Sequence, residues 1–461
     1  MRAHEAGALH GDLGSRGPAW LRTPEDVNAL VPHLWPTGVA RAADGALAVG
    51  DLSVRALAEE FGTPAYVLDE GDMRARCRDF LAAFAGCDVY YAGKAFLCRA
   101  VVRIIAEEGL HLDVCSGGEL ATALSAGMPA ERIGFHGNNK SVAELTRAVE
   151  AGVGRIIVDS FQEIDRLTSL ARELGKRPGV LIRVTVGVEA HTHEFIATAH
   201  EDQKFGFSLA GGAAVEAALK IIDEGALDLR GLHSHIGSQI FDTSGFEVSA
   251  KRVLGLQAQI REARGVELPE LDLGGGFGIA YTTQDDPAPP ADLAKRLTKI
   301  VEGECEALQL ATPHLSIEPG RAIVGPAVFT LYEVGTVKDV DGIRTYVSVD
   351  GGMSDNIRTA LYDASYSATL ASRASDAAPI LARVVGKHCE SGDVVVKDEF
   401  LPADVQPGDL LAVPGTGAYC RSMASNYNHV PRPPVLAVRD GRARVIVRRE
   451  TEDDLLALDV G

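Results

Sequence analysis

Lys94 lies in Tyr91-Ala92-Gly93-Lys94-Ala95-Phe96, after an apolar run and a glycine that permits close backbone approach. A primary amine desolvated in such a place becomes nucleophilic, and its characteristic product with a carbonyl compound is an imine. Gly274-Gly275-Gly276, with Gly278 close behind, leaves backbone N–H groups able to surround an anion without side-chain obstruction. Ser238, in His235-Ile236-Gly237-Ser238-Gln239, could add a hydroxyl to the same anion. Asp113, Glu318 and His235 supply groups that handle charge and protons. His191-Thr192-His193 invites a metal reading. Histidines spaced i,i+2 without a third ligand nearby make a poor cage, and Glu189 and Glu194 do not complete one, so no metal site is expected.

These residues need elements to carry them. Between Asp88 and Glu318, short apolar or β-branched runs alternate with helix-sized amphipathic stretches, the pattern of a parallel sheet with crossover helices. Eight such runs are present: Asp88 to Tyr91, His111 to Val114, Arg132 to Phe135, Arg155 to Val158, Val180 to Val186, Leu229 to His235, Glu270 to Leu273, and His314 to Ile317. Eight units favour a TIM (β/α)8 barrel over an open sheet. In that fold the chemistry sits where strands end in loops. The ends deliver Lys94, Asp113 with Ser116, His136 with Asn138, Asp159 with Ser160, His233, His235 with Ser238, the three glycines, and Glu318-Pro319-Gly320-Arg321.

After Arg321 strands succeed one another without long helices, ending in a hairpin that pairs Pro434 to Val438 with Arg444 to Arg448 across Asp440-Gly441. The expected organisation is therefore α/β, a barrel followed by an all-β C-terminal domain. Its expected segments are a flexible extension (1–30), a segment packing on the β-domain (31–63), the barrel (64–321) and the β-domain (322–461). TIM barrels often hold phosphate on the loops after strands seven and eight, where the glycines fall. A phosphate site and a strand-end lysine in one barrel mouth point to pyridoxal 5'-phosphate, with Glu318 keeping the pyridine nitrogen protonated. His235 could lie against the ring, and Asp113 could orient it or a neighbouring donor.

The chain resembles the diaminopimelate decarboxylases, of the barrel-type (alanine-racemase-like, fold type III) pyridoxal-phosphate enzymes, from about Pro64 to Tyr427. The resemblance rests on Tyr91-Ala92-Gly93-Lys94-Ala95, Glu189-Ala190-His191-Thr192-His193-Glu194, His233 to Gln239, Glu318-Pro319-Gly320-Arg321, Cys389-Glu390-Ser391-Gly392-Asp393 and Gly415-Thr416-Gly417-Ala418-Tyr419. The Glu-Ala-His-Thr-His stretch looks like the actinobacterial branch. The resemblance implies that Lys94 carries the cofactor, Glu318 meets the pyridine nitrogen, and His235 stacks on the ring. Gly276, Ser238, Gly320 and Tyr419 would surround the phosphate, within a wider cofactor set that includes Asp113, Gly274, Gly275, Pro319 and Arg321. Arg321, Arg358, Tyr362, Glu390 and Tyr419 would hold meso-diaminopimelate, and Cys389 would donate the proton across a homodimer interface. The implied reaction is decarboxylation to L-lysine and CO2, the last step of lysine biosynthesis. The nearest rival is a decarboxylase of the same fold acting on ornithine, arginine or carboxynorspermidine. A non-catalytic carrier of the cofactor is the rival from another class.

The whole chain of 461 residues suits two domains. Its formal net charge of −19 disfavours nucleic acid and anionic membrane as partners. Seven cysteines without CxxC spacing suggest neither a zinc cage nor a disulfide framework, and a reducing cytoplasm fits best.

Overall fold

The structure, a computed structural model, describes residues 17–187, 203–340 and 343–461. It forms two compact units. One comprises Ala75–Gly278 with Pro287–Ile323; the other comprises the chain up to Arg74 with Ile279–Asp286 and Val324–Gly461.

The first unit is a closed parallel barrel of strands Asp88–Ala92, His111–Val114, Ile133–Phe135, Arg155–Val158, Gly179–Thr185, Asp228–Ser234, Glu270–Asp272 and His314–Ile317. Each pairs with the next, and the eighth returns to the first through Ser316↔Asp88 and Ile317↔Val89. The eight apolar runs of the sequence are these eight strands. They read as near-continuous hydrophobic stretches because parallel strands are covered on both faces, as the fully buried Arg155–Val158 shows. A two-residue strand, Phe207–Ser208, adds parallel to the fifth. Helices between the strands start at side-chain caps: Ser116, Ser141 and Ser160 accept from the N–H groups of Glu119, Glu144 and Glu163 at 3.2, 3.2 and 3.3 Å. Ser116 and Ser160 are thus engaged in starting helices, each cap contributing about 1 kcal/mol.

The second unit centres on a sheet in which Ala65–Asp69 is an inner strand. It runs antiparallel to Val328–Val340 (Val328↔Leu68) and parallel to Val435–Arg439 (Val435↔Tyr66). The boundary expected at residue 64 therefore falls after Arg74 in the structure. All five residues of this strand are buried, and a short buried run reads from sequence equally well as the start of a barrel. Within residues 31–63, Leu34, Trp35, Leu47, Val49, Val54 and Leu57 share a core with Phe329, Leu331, Leu410 and Leu436. The terminal hairpin, Val435–Arg439 with Arg442–Val447, turns at Asp440 and Gly441 with φ of 50° and 68°. Both central residues at positive φ match the right-handed twist of the strands, which is why Asp-Gly marks this turn in the sequence. Among the described residues, no helix is long and apolar enough to cross a membrane.

Candidate active site

Glu318 follows the eighth barrel strand and is 7% exposed. Its Oε1 lies 3.1 Å from His136 Nε2 and 3.1 Å from His233 Nε2, side chains delivered by the ends of the third and sixth strands. His136 Nε2 is also 3.3 Å from Asp113 Oδ1, on the second strand. Burial opposes the His136 imidazolium, but Glu318 and Asp113 overcome it and raise its pKa to about 9. Burial, opposed by Glu318, lowers the pKa of His233, which is therefore neutral. Burial alone would protonate Glu318, yet the two histidines hold its pKa well below the usual carboxylate range. Burial and the Glu318 charge push Asp113 up to about 7. The outcome is one ionised, buried carboxylate with Oε1 turned to the two histidines. His136, His233 and Glu318 offer three ligand atoms within 4.8 Å of one another, enough to suggest a metal. A histidine held protonated by two carboxylates has no lone pair to give, so the cluster reads better as a clamp on Glu318.

Lys94 stands two residues beyond the first strand, exposed, in a turn that the Tyr91 hydroxyl closes by donating to the Phe96 carbonyl at 2.7 Å. Gly93 N–H donates to the Asp113 carbonyl at 3.0 Å, and a Cβ at 93 would come within 2.7 Å of that oxygen. Only glycine lets the two strand ends run so close. The His235 imidazole is held well below its ordinary pKa by burial, and the charges of Lys94 and Arg183 push the same way. Gly275 N–H donates to His235 Nδ1 at 3.2 Å, so this neutral ring carries its proton on Nε2.

Gly274 N–H donates to Asp272 Oδ1 at 2.7 Å, and the Glu318 N–H donates to the Gly274 carbonyl at 3.0 Å. The N–H groups of Gly274 and Gly275 thus serve the protein itself. Gly276 has φ of 106°, and a Cβ there would collide with the Gly237 carbonyl. Arg321 Nη2 donates to Ser238 Oγ at 2.8 Å, joining the loops after strands six and eight. Gly320 packs so closely that an added Cβ would meet Ala92 at 2.9 Å. Pro319 is buried between Glu318 and Gly320.

The other residues expected from the sequence, Arg358, Tyr362, Cys389, Glu390 and Tyr419, belong to the β-rich unit. Arg358 opens the helix Arg358–Tyr362, is 6% exposed, and lies 4.6 Å from the Tyr281 ring centroid and 5.5 Å from that of Tyr366. It donates to the Tyr366 hydroxyl and makes no ion pair among the described residues. Tyr362 is half-buried, as is Tyr419, which takes φ of 65°. Cys389 and Glu390 are exposed. Cys389 N–H donates to Asn428 Oδ1 at 3.1 Å, and Glu390 Oε1 accepts from Gly392 N–H at 3.2 Å. Beneath them Asp393 accepts from the N–H groups of Met353 and His388 at 2.6 and 2.7 Å, giving the exposed pair a firm base.

Glu189-Ala190-His191-Thr192-His193-Glu194 lies outside the described residues, as do the first 16 positions of the expected extension. His136 and His233 are visible in the sequence as polar strand ends but receive no role there. Arg155 and Asp272, charges inside apolar strand runs, receive none either. A charged residue within a buried run is the signal that could have found both.

The model for the pyridoxal binding domain of pyridoxal-dependent decarboxylases matches residues 70–325. The diaminopimelate decarboxylase of Mycobacterium tuberculosis is 58% identical over 440 residues, covering 94% of this chain and 98% of its own. That of Bacillus subtilis is 47% identical over 420 residues, covering 90% and 95%. The solved diaminopimelate decarboxylase of M. jannaschii, in complex with L-lysine, is 32% identical with a TM-score of 0.86, covering 92% of this chain and 98% of its own. Agreement across nearly the full length, in both sequence and fold, shows that this chain belongs to the diaminopimelate decarboxylase family of pyridoxal-dependent decarboxylases.

Proposed function

We propose that the protein is a carboxy-lyase that uses pyridoxal 5'-phosphate to convert meso-2,6-diaminopimelate to L-lysine and CO2, the last step of lysine biosynthesis. The observation that carries this reading is Glu318, a buried carboxylate kept ionised by His136 and His233 in the barrel whose first strand leads to Lys94. When bound, the cofactor's pyridine ring supplies the sink for the electron pair left by departing CO2.

Lys94 would hold the cofactor covalently at its aldehyde. Glu318 takes the pyridine nitrogen and keeps it protonated, because a carboxylate clamped by two histidines remains an anion despite its burial. His235, neutral, would face the ring without adding positive charge to it. Gly276, Ser238, Gly320 and Tyr419 receive the phosphate. Arg321, Arg358, Tyr362 and Tyr419 hold the substrate. Arg358 lacks a carboxylate partner of its own among the described residues, and a distal carboxylate would supply one.

The protein acts as a homodimer with shared sites. The partner subunit's Cys389 donates the proton to the α-carbon, and the partner's Glu390 meets the distal ammonium. Support for this comes from the exposure of both side chains on a firmly bonded loop. None of the seven cysteines forms a disulfide, which suits a cytoplasmic location.

Incubating purified protein and cofactor with meso-diaminopimelate, and following lysine and CO2, tests the reading. Stoichiometric release of both is expected. Turnover of ornithine or arginine in place of diaminopimelate would transfer the chain to its nearest rival.

A further inference from the structure

Arg155 begins the fourth barrel strand and is 2% exposed, an unusual place for a guanidinium. Its Nη2 pairs with Asp272, which is 0% exposed on the seventh strand. Its Nη1 donates to Ser316 Oγ on the eighth at 2.8 Å, and its Cζ lies 3.7 Å from the Tyr90 ring centroid on the first. Gly134, on the third strand, leaves the space: a Cβ there would stand 3.6 Å from Arg155 Nε and 2.7 Å from Asp113 Oδ1. One cation thus ties together strands that are distant in sequence.

The two carboxylate oxygens of Asp272 do different things. Oδ2 faces Arg155, while Oδ1 accepts the Gly274 N–H at 2.7 Å. Gly274 in turn receives the Glu318 N–H on its carbonyl at 3.0 Å, and Glu318 lies two residues beyond Ser316. Burial and the Glu318 charge raise the pKa of Asp272 and Arg155 opposes them, so this fully buried carboxylate needs the counter-charge to stay an anion, since alone it would protonate or draw in water. With its charge met, Asp272 can hold the first glycine of the loop in the left-handed conformation, φ of 71°, that aims Gly276.

We propose that Arg155 is a positioning residue for the phosphate loop: through Asp272 it fixes Gly274–Gly276 in the geometry that receives the cofactor's phosphate. This rests on the reading of Gly276 as a phosphate donor. Arg155 touches neither cofactor nor substrate; its effect passes through Asp272 to the loop.

The test compares binding of pyridoxal 5'-phosphate with binding of pyridoxal, which lacks the phosphate, by absorbance titration. Arg155→Met should weaken the phosphate form about 10- to 100-fold while leaving pyridoxal within about twofold. The double variant Arg155→Met/Asp272→Asn keeps an oxygen for the Gly274 N–H without a charge to neutralise, and it should recover affinity to within about threefold of wild type. Equal weakening of both ligands in Arg155→Met, or no recovery in the folded double variant, overturns the proposal. If Arg155→Met does not fold, the double variant and wild type decide the matter by the same threefold criterion. Wild-type protein that binds the two ligands equally would refute the phosphate reading of the loop itself, a failure separate from that of Arg155.

Discussion

Three groups of buried charges in the barrel are matched: Glu318 with His136 and His233, Arg155 with Asp272, and Lys140 with Glu163 at 2.6 Å. In the β-rich unit Arg358 is just as buried, yet it is surrounded by Tyr281 and Tyr366 and has no carboxylate among the described residues. Cys389 and Glu390, on the same unit, face solvent. A matched set is finished when the chain has folded, and it can serve as a rigid seat for a cofactor. An unmatched buried guanidinium and an exposed thiol–carboxylate pair have no such set, and the proposed function gives them partners from outside the chain. On the proposed function, the difference teaches that the barrel would seat a cofactor while the β-rich unit would meet a substrate charge and a second subunit.

Removing the proposed covalent anchor of the barrel should have the largest effect. Lys94→Ala is expected to lose the cofactor's bound absorbance and to lower turnover by about a thousandfold or more, read by spectrum and by lysine release. Normal turnover in this variant would end the assignment.

In the β-rich unit, Arg358→Met should leave the cofactor spectrum intact and raise KM for meso-diaminopimelate about 100-fold. If cofactor affinity falls instead, Arg358 belongs with the seat and the comparison breaks. Cys389→Ala should also keep the spectrum while kcat falls about 100-fold, as for loss of a proton donor. Mixing it with an inactive Lys94→Ala chain would sharpen the comparison. Mixed dimers then hold one site with both groups intact, and activity should reappear; its absence would place Cys389 outside a shared site.

The smallest effect concerns pH. The His136 pKa is raised from 6.5 to about 9, so its contribution to stability is fully present below the ordinary value and disappears as pH rises through about 9. Glu318 is depressed, so its contribution is present above the ordinary carboxylate range and lost as pH falls through its folded pKa. Cofactor affinity should therefore decline severalfold across an alkaline step near pH 9. His136→Gln, a neutral donor, should flatten that step while costing about 1–2 kcal/mol of stability, measured by thermal melting near neutral pH. An unchanged alkaline step would assign it to another group.

Much of this is legible in the sequence for local reasons. The barrel strands are readable because parallel strands buried on both faces leave unbroken apolar runs. Lys94, Asp113 and Glu318 are readable because the fold displays the residues at the C-terminal end of each run. Asp440-Gly441 announces its hairpin because few residue pairs accept positive φ twice in succession. Ala65–Asp69 is not readable in the same way. Nothing local distinguishes a first barrel strand from a strand that fills a slot between Val328–Val340 and Val435–Arg439.

By itself the sequence determined the architecture, the lysine, the acid and the family, all of which are written in contiguous residues or in their order. Tertiary structure alone decided which histidines keep Glu318 ionised, that Gly274 and Gly275 commit their N–H groups to Asp272 and His235, and that Arg155 lies behind that loop. Apart from the Gly274–Asp272 contact, these depend on atoms some 40 to 180 residues apart meeting at about 3 Å in the buried interior, where a charge holds its state only through the neighbours that folding brings to it.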